Sequence, residues 1–170
     1  MFRPRTGERI ALDLVPSAQI EDDDDTDTAL LRAMALDAEA YISSFQWCDA
    51  VCDSFFGGGV GGIFAIFLLR IRPGRPDVDD WIWVTVGDAP PAYLPITDCT
   101  SVANAFRLYV RGMTHWIHLA REGRTEEEKY VPPVDLPLTN ESADWLERKV
   151  QLLTLLIQPL FEDDSELPPQ

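Results

Sequence analysis

The chain has 170 residues, of which 46% are hydrophobic and 25% charged, and its formal net charge is −15. This length and composition suit a globular protein with its own apolar core and exclude a disordered chain. The charge argues against nucleic acid and anionic membranes as partners, because phosphate binding depends on lysine and arginine. It favours a basic protein partner, and solubility alone is the simpler explanation.

The N-terminal region carries much of the negative charge. Residues 1–27 are predicted to form an acidic, flexible arm, because the run Asp22-Asp23-Asp24-Asp25 repels itself. Alternating apolar residues over 8–15 allow a short edge strand within this arm. The first residues lack the apolar stretch of a signal peptide, and the three cysteines are an odd number. Both features indicate a reducing, cytoplasmic location.

A long amphipathic helix is predicted over about residues 28–54. Apolar residues recur there three and four positions apart, from Leu30 through Ile42 to Cys52. The run Gly57-Gly58-Gly59 is predicted to end this helix, because glycine adopts the left-handed conformation that closes helices.

A β-hairpin is predicted next, with strands at about residues 60–71 and 80–87 and a turn rich in proline and glycine. The first strand is a continuous apolar run, which indicates burial on both faces. In the second strand, Trp81 and Trp83 share one face, either beneath helices or as an exposed aromatic platform for binding. Residues 93–96 allow a further strand, which Pro95 confines to an edge.

Two more helices are predicted, at about residues 101–122 and 140–158, and an acidic tail follows over 161–170. Thr100 or Ser101 can cap the first helix, and Thr139 or Asn140 the second. The expected fold is α+β. Residues 28–160 form a single globular domain, in which three helices cover one face of a small antiparallel sheet.

The cysteines and histidines offer few options for chemistry. Cys48 and Cys52 lie four apart, and His115 and His118 three apart, so a tetrahedral zinc site needs their two predicted helices to meet. Cysteines that simply continue an apolar stripe are the simpler interpretation, so no metal or cofactor is expected. Cys99 precedes a predicted helix, whose dipole would lower the pKa of its thiol. No catalytic residue is assigned.

One stretch resembles a family of small bacterial proteins without an assigned activity. The stretch runs from Trp81 to Leu94 and reads W-x-W-V-x-V-G-D-x-P-P-A-Y-L, preceded by Trp47-Cys48 and by glycines from Gly57 to Gly62. The resemblance covers roughly residues 36–160. It implies one compact domain and assigns no functional residue.

The leading hypothesis is a non-enzymatic, acidic protein-binding domain, most concretely an immunity or inhibitor protein that neutralises a basic toxin. Lysine and arginine of the partner would then meet acidic residues of the arm or the hairpin turn, with the tryptophans as a platform. The candidates are Asp22, Asp23, Asp24, Asp25, Asp77, Asp79, Asp80, Trp81 and Trp83. The alternatives are an enzyme that uses Cys99 or His115 and His118, and a structural subunit that assembles through a sheet edge or the tryptophans.

Overall fold

A five-stranded antiparallel sheet is the frame of the fold. The computed structural model describes residues 6–123 and 134–162. In chain order the elements are α1 (Thr6–Ala11), β1 (Val15–Pro16), a 3-10 turn (Ser17–Gln19), α2 (Asp25–Ser43), β2 (Cys48–Val60), β3 (Phe64–Pro73), β4 (Trp81–Gly87), β5 (Ala92–Pro95), α3 (Val102–Arg121), α4 (Asn140–Leu156) and α5 (Gln158–Glu162).

The strand order in the sheet is the order in the chain, β1-β2-β3-β4-β5, with every neighbouring pair antiparallel. The predicted α+β class and the central hairpin are confirmed: β3 pairs with β4 from Phe64 opposite Gly87 to Arg70 opposite Trp81. The predicted extra strand is β5, at the edge of the sheet, where Pro95 needs no ladder partner on its outer side.

Helices cover both faces of the sheet, whereas the sequence predicted helices on one face. Along β3, Phe64, Ile66 and Leu68 share one buried cluster with residues of α3, α4 and α5, and Phe64 contacts Phe106 and Tyr109 of α3 directly. The alternate residues, among them Phe67 and Leu69, pack against α2. The burial of this strand on both faces, which its continuous apolar run predicted, is therefore confirmed. Each large side chain buried here stabilises the fold by about 1.5–3 kcal/mol.

The long helix predicted over 28–54 is wrong in its second half. Helix α2 ends at Ser43, and β2 begins at Cys48. The register of β2 against β3 shifts at three places, between Cys48 and Ala50, between Val51 and Asp53, and between Phe56 and Gly58. Each such bulge interrupts the two-residue alternation of a strand. The apolar residues of β2 therefore fall at spacings that resemble a helix.

The three glycines predicted to end that helix lie within β2. They allow helices to approach the strand closely. A Cβ at Gly57 would lie 2.8 Å from Cγ2 of Val102 in α3, and one at Gly58 would lie 2.5 Å from Cε1 of Phe161 in α5. Both distances are shorter than side chains tolerate, so larger residues here would push α3 and α5 away from the sheet.

The strand predicted over residues 8–15 is also wrong. α1 occupies this segment as far as Ala11 and a turn follows, so that only Val15 and Pro16 form an edge strand, paired with β2. The acidic run leads into α2, where Asp24 is the N-cap and its side chain accepts a hydrogen bond from the backbone N–H of Thr26. At the other end, Phe161 is buried in the core, and the rest of the predicted acidic tail, from residue 163, lies outside the described residues.

The two C-terminal helices begin where their caps predicted. The side chain of Ser101 accepts a hydrogen bond from the N–H of Asn104, and that of Thr139 accepts one from Ser142. These bonds satisfy backbone donors that helix starts leave free. Across residues 6–123 and 134–162, no helix is both long and apolar enough to cross a membrane.

Candidate functional site

The two groups of acidic candidates lie near opposite ends of the sheet. The start of α2 adjoins the β2–β3 turn, because Oδ1 of Asp27 accepts a hydrogen bond of 2.7 Å from the backbone N–H of Gly61. Asp77, Asp79 and Asp80 lie in the β3–β4 loop, which is at the other end of β3. Since strands rise about 3.3 Å per residue, the length of β3 separates the groups by some 20–30 Å. They therefore form two sites.

The first group borders a cleft, here called the acidic cleft. Its volume is about 480 Å³, and its lining consists of Glu21, Asp22, Asp25, Thr28, Ala29 and Arg32. Local hydrogen bonds give this segment a defined conformation. The N–H of Asp22 donates to Oγ1 of Thr28 at 2.8 Å, and the N–H of Thr26 donates to Oδ1 of Asp24 at 2.9 Å. These bonds join the acidic run to the start of α2.

Negative charges crowd one another beside this cleft. The carboxyl groups of Asp22 and Asp27 are in contact, and this contact raises the pKa of Asp27 and lowers the pKa of Asp22. Arg32, which lines the cleft, donates from Nε and Nη2 to the backbone oxygen of Ile20 at 3.1 and 2.9 Å. Among the described residues it forms no ion pair with a carboxylate. A cation entering the cleft would relieve the repulsion between these carboxylates.

An apolar strip continues from the acidic cleft along the outer side of α2. It consists of Ala29, Ala33, Leu36 and Ala40, all exposed, and 66% of the Leu36 side chain is accessible. The sequence contained a signal for it, because few charges lie opposite the buried residues of this helix. A surface helix that faces water usually carries a polar outer side. The outer side of α2 therefore exposes apolar surface, chiefly at Leu36, where a polar side chain is usual.

The second acidic group borders another cavity, of about 380 Å³, at the opposite end of the sheet. It is lined by Thr6, Gly7, Asp79, Asp80, Trp81, Ile96 and Thr97. Oδ1 of Asp79 accepts a hydrogen bond of 3.1 Å from the backbone N–H of Trp81, so this carboxylate already orders the start of β4.

The hypothesis of an exposed aromatic platform is wrong, because Trp81 is 4% and Trp83 is 0% accessible. Both rings do share one face, as predicted, and they pack among α1, α3 and β5. The indole N–H of Trp83 donates to the backbone oxygen of Cys99 at 3.0 Å, whereas the indole N–H of Trp81 is buried without a partner in the described part of the chain.

The structure separates the residues of the hypothetical zinc site. Cys48 is buried on the α2 side of the sheet, and Cys52, also on β2, is exposed. His115 and His118 lie on α3, which packs on the other face. The sheet therefore stands between the buried thiol and the imidazoles. Within residues 6–123 and 134–162, no three side chains of the ligating types come together as a metal site.

Cys99 is not placed to act as a nucleophile. Its side chain is 0% accessible, and burial raises the pKa of its thiol to about 11. The sequence led us to expect the opposite shift, from the dipole of the following helix. Desolvation outweighs that dipole because the thiolate form would lie in the apolar core beside Trp83.

Comparisons with protein-family models, with curated proteins and with solved structures gave no match. The acidic cleft, with the apolar strip that continues from it, is the candidate site on its own geometry.

Proposed function

We propose that this protein is a non-enzymatic binding protein whose acidic cleft and apolar strip engage a basic protein partner. Its most concrete form is an inhibitor or immunity protein that blocks a basic effector. The observation that carries this proposal is the crowding of exposed carboxylates at the start of α2, beside a cleft whose arginine, Arg32, donates to a backbone oxygen.

Each part of the surface has a distinct role in this proposal. The carboxylates of Asp22 and Asp25 attract lysine or arginine and speed up the encounter, since opposite potentials steer association. The strip around Leu36 then supplies apolar area that loses water on contact. A net charge of −15 extends the attraction over the whole molecule.

The test begins with affinity capture on the whole protein, washed at low and then high salt. Any basic protein recovered is purified, and its affinity is measured by calorimetry. The site variant carries Asp22→Asn, Asp23→Asn and Asp25→Asn. Asparagine at position 22 keeps an oxygen that can accept from the N–H of Asp23. Asp24 and Asp27, which bond the backbone at the start of α2 and at Gly61, are left intact. We expect affinity to fall about 10- to 100-fold in this variant, and to fall with salt in the wild type.

A charge-matched control distinguishes the site from the overall charge. Asp13→Asn, Asp98→Asn and Glu141→Gln remove the same three charges at exposed positions that do not line the cleft. If both triple variants lose affinity equally, net charge acts and the cleft is not the site. Association that does not respond to salt contradicts the proposal.

Two forms of the alternative functions lack the exposed groups that they need. An enzyme based on Cys99 would need an accessible thiol, and this one is buried. Assembly through the tryptophans would need exposed rings, and both are in the core.

A further inference from the structure

The indole N–H of Trp81 is a buried donor that has no acceptor in the described part of the chain. The side chain is 4% accessible, and a buried donor without an acceptor destabilises the fold. Trp83, two residues along the same strand, shows the usual arrangement, because its indole N–H donates to the backbone oxygen of Cys99 at 3.0 Å. An exception of this kind requires an explanation, and a bound partner is one.

Trp81 lines the cavity of about 380 Å³ at the β3–β4 loop, here called the tryptophan cavity. Gly7 lines it as well, and a Cβ at Gly7 would lie 2.5 Å from Cδ1 of Trp81, the ring carbon bonded to the indole nitrogen. The five-membered ring, which carries the N–H, therefore borders this cavity. The volume is in the range of small-ligand pockets, and at roughly 30 Å³ per water-sized group it accommodates about a dozen non-hydrogen atoms.

The carboxylates of Asp79 and Asp80 set the charge of the tryptophan cavity. Oδ1 of Asp79 accepts a hydrogen bond of 3.1 Å from the backbone N–H of Trp81, which holds this carboxylate next to the ring. Two carboxylates in one wall disfavour an anion and favour a cation. A bare metal ion would match the charge, but it has no lone pair that could accept from the indole N–H. The occupant therefore needs both a positive charge and an oxygen acceptor.

We propose that the tryptophan cavity binds a small organic amine that also carries hydroxyl or carbonyl oxygens. Its ammonium group lies beside Asp79 and Asp80, and one of its oxygens accepts from the indole N–H of Trp81. The hydroxyls of Thr6 and Thr97, which also line the cavity, can bond further oxygens. Because the N–H is buried, the ligand reaches it when α1 shifts slightly on the ring. A helix of six residues has little stability of its own to oppose this shift.

The indole signals in a proton–nitrogen NMR spectrum of the whole protein test this proposal. The chain has five tryptophans, and each gives one indole signal. The signal of Trp81 is identified by its loss in Trp81→Phe. Glucosamine, which combines an amine with several oxygens, is the probe, at about pH 6 where the amine is charged. We expect the Trp81 signal to move with saturation, and that of Trp83 to stay, because its N–H already has an acceptor.

Two matched probes separate the charge from the oxygen. Glucose has the oxygens of glucosamine without the charge, and cyclohexylamine has a charged amine on a six-membered ring without oxygens. We expect each to bind at least about tenfold more weakly than glucosamine, since each lacks one set of hydrogen bonds. A Trp81 signal that glucosamine does not move overturns the proposal. Equal binding of either matched probe overturns the class of ligand.

A pair of variants ties the charge to this cavity. Asp79→Asn keeps an oxygen that can accept from the backbone N–H of Trp81 and removes one negative charge. It should weaken glucosamine binding about tenfold, because hydrogen bonds to a charged group are the strong ones. Asp77→Asn removes the same charge from an exposed position in the same loop that does not line the cavity, and should leave binding nearly unchanged. Equal losses in the two variants would mean that net charge attracts the probe, and would overturn the site.

Discussion

Gly7 in α1 lies directly against the indole ring of Trp81 in β4. A Cβ added at position 7 would overlap with Cγ, Cδ1 and Cδ2 of that ring. Only a glycine at this position lets the six-residue helix rest on the tryptophan. The indole N–H of this tryptophan is buried and has no partner among the described residues.

Gly7→Ala is expected to destabilise the protein, although alanine is the better helix former by about 1 kcal/mol. The overlap with Trp81 must push α1 off the ring, and overpacking of this kind costs about 1–3 kcal/mol. Urea unfolding measures the loss, and a red shift of tryptophan emission reports the exposed ring. Thr6→Ala, an exposed neighbour in the same helix, serves as the control. Equal or greater stability of Gly7→Ala would show that the contact is not tight.

The two tryptophans of β4 form a matched pair for measuring one hydrogen bond. Trp81→Phe and Trp83→Phe remove the same atoms from buried positions. Only Trp83→Phe breaks a bond, the one of 3.0 Å to the backbone oxygen of Cys99. We expect it to lower the free energy of unfolding by about 1–3 kcal/mol more than Trp81→Phe does. Equal losses in urea unfolding would contradict a difference between the two N–H groups.

The parts of the fold that sequence predicted well are those with local causes. The cap at Ser101 depends only on its neighbours in the chain, and it was predicted correctly. The edge position of Pro95 was also predicted correctly, because proline has no N–H to donate to a further strand. Strand β2 was not, because its bulges are set by pairing with β3. Alternation along β4 placed Trp81 and Trp83 on one face. Only the packing of helices on both sides of the sheet decides that this face is buried.

The candidate site, like the fold, was predicted correctly where the cause is local and missed where it depends on tertiary contacts. The acidic run was recognised from composition, since consecutive carboxylates need no tertiary information to be noticed. Its place relative to the second acidic group depends on the contact between Asp27 and Gly61, which are far apart in the chain. Leu30 was placed on the apolar stripe of the first helix but is 42% accessible, because apolar residues in a helix pattern are usually core. Leu36, on the outer side of that helix, was not singled out.

Asp27 takes part in two opposing interactions: repulsion from the carboxylate of Asp22 and a hydrogen bond from the N–H of Gly61. Two substitutions separate their effects on stability. Asp27→Asn keeps an oxygen that can accept from the N–H of Gly61 and removes the charge beside Asp22. It should be at least as stable as the wild type. Asp27→Ala loses the bond and leaves that N–H without its acceptor, which should cost about 1 kcal/mol. Both are measured by urea unfolding at neutral pH. A destabilised Asn variant would mean that the charge itself holds the turn.

The buried thiol of Cys99 predicts a loss of stability in alkali. Burial raises its pKa from an ordinary value of 9.0 to about 11, so folding favours the protonated form. The stabilisation that comes from burying the protonated Cys99 thiol is complete below pH 9, and it is lost as the pH rises from 9 to 11. Two pH units correspond to a loss on the order of 2 kcal/mol. Tyr41, whose pKa burial raises from 10.0 to about 12, acts in the same direction at higher pH. The free energy of unfolding, measured in urea between pH 8 and pH 11, should fall less steeply in Cys99→Ala than in the wild type.

Thiol labelling checks the same burial independently of stability. At pH 8 a thiol reagent should modify the exposed Cys52 first, and Cys99 only after denaturant is added. Cys52→Ser provides the control, because the native protein should then lose its fast-reacting thiol. If Cys99 reacts as fast as Cys52 in the folded protein, then its thiol is open to solvent. The alkaline loss of stability would then have to arise from other groups, with Tyr41 the first to test.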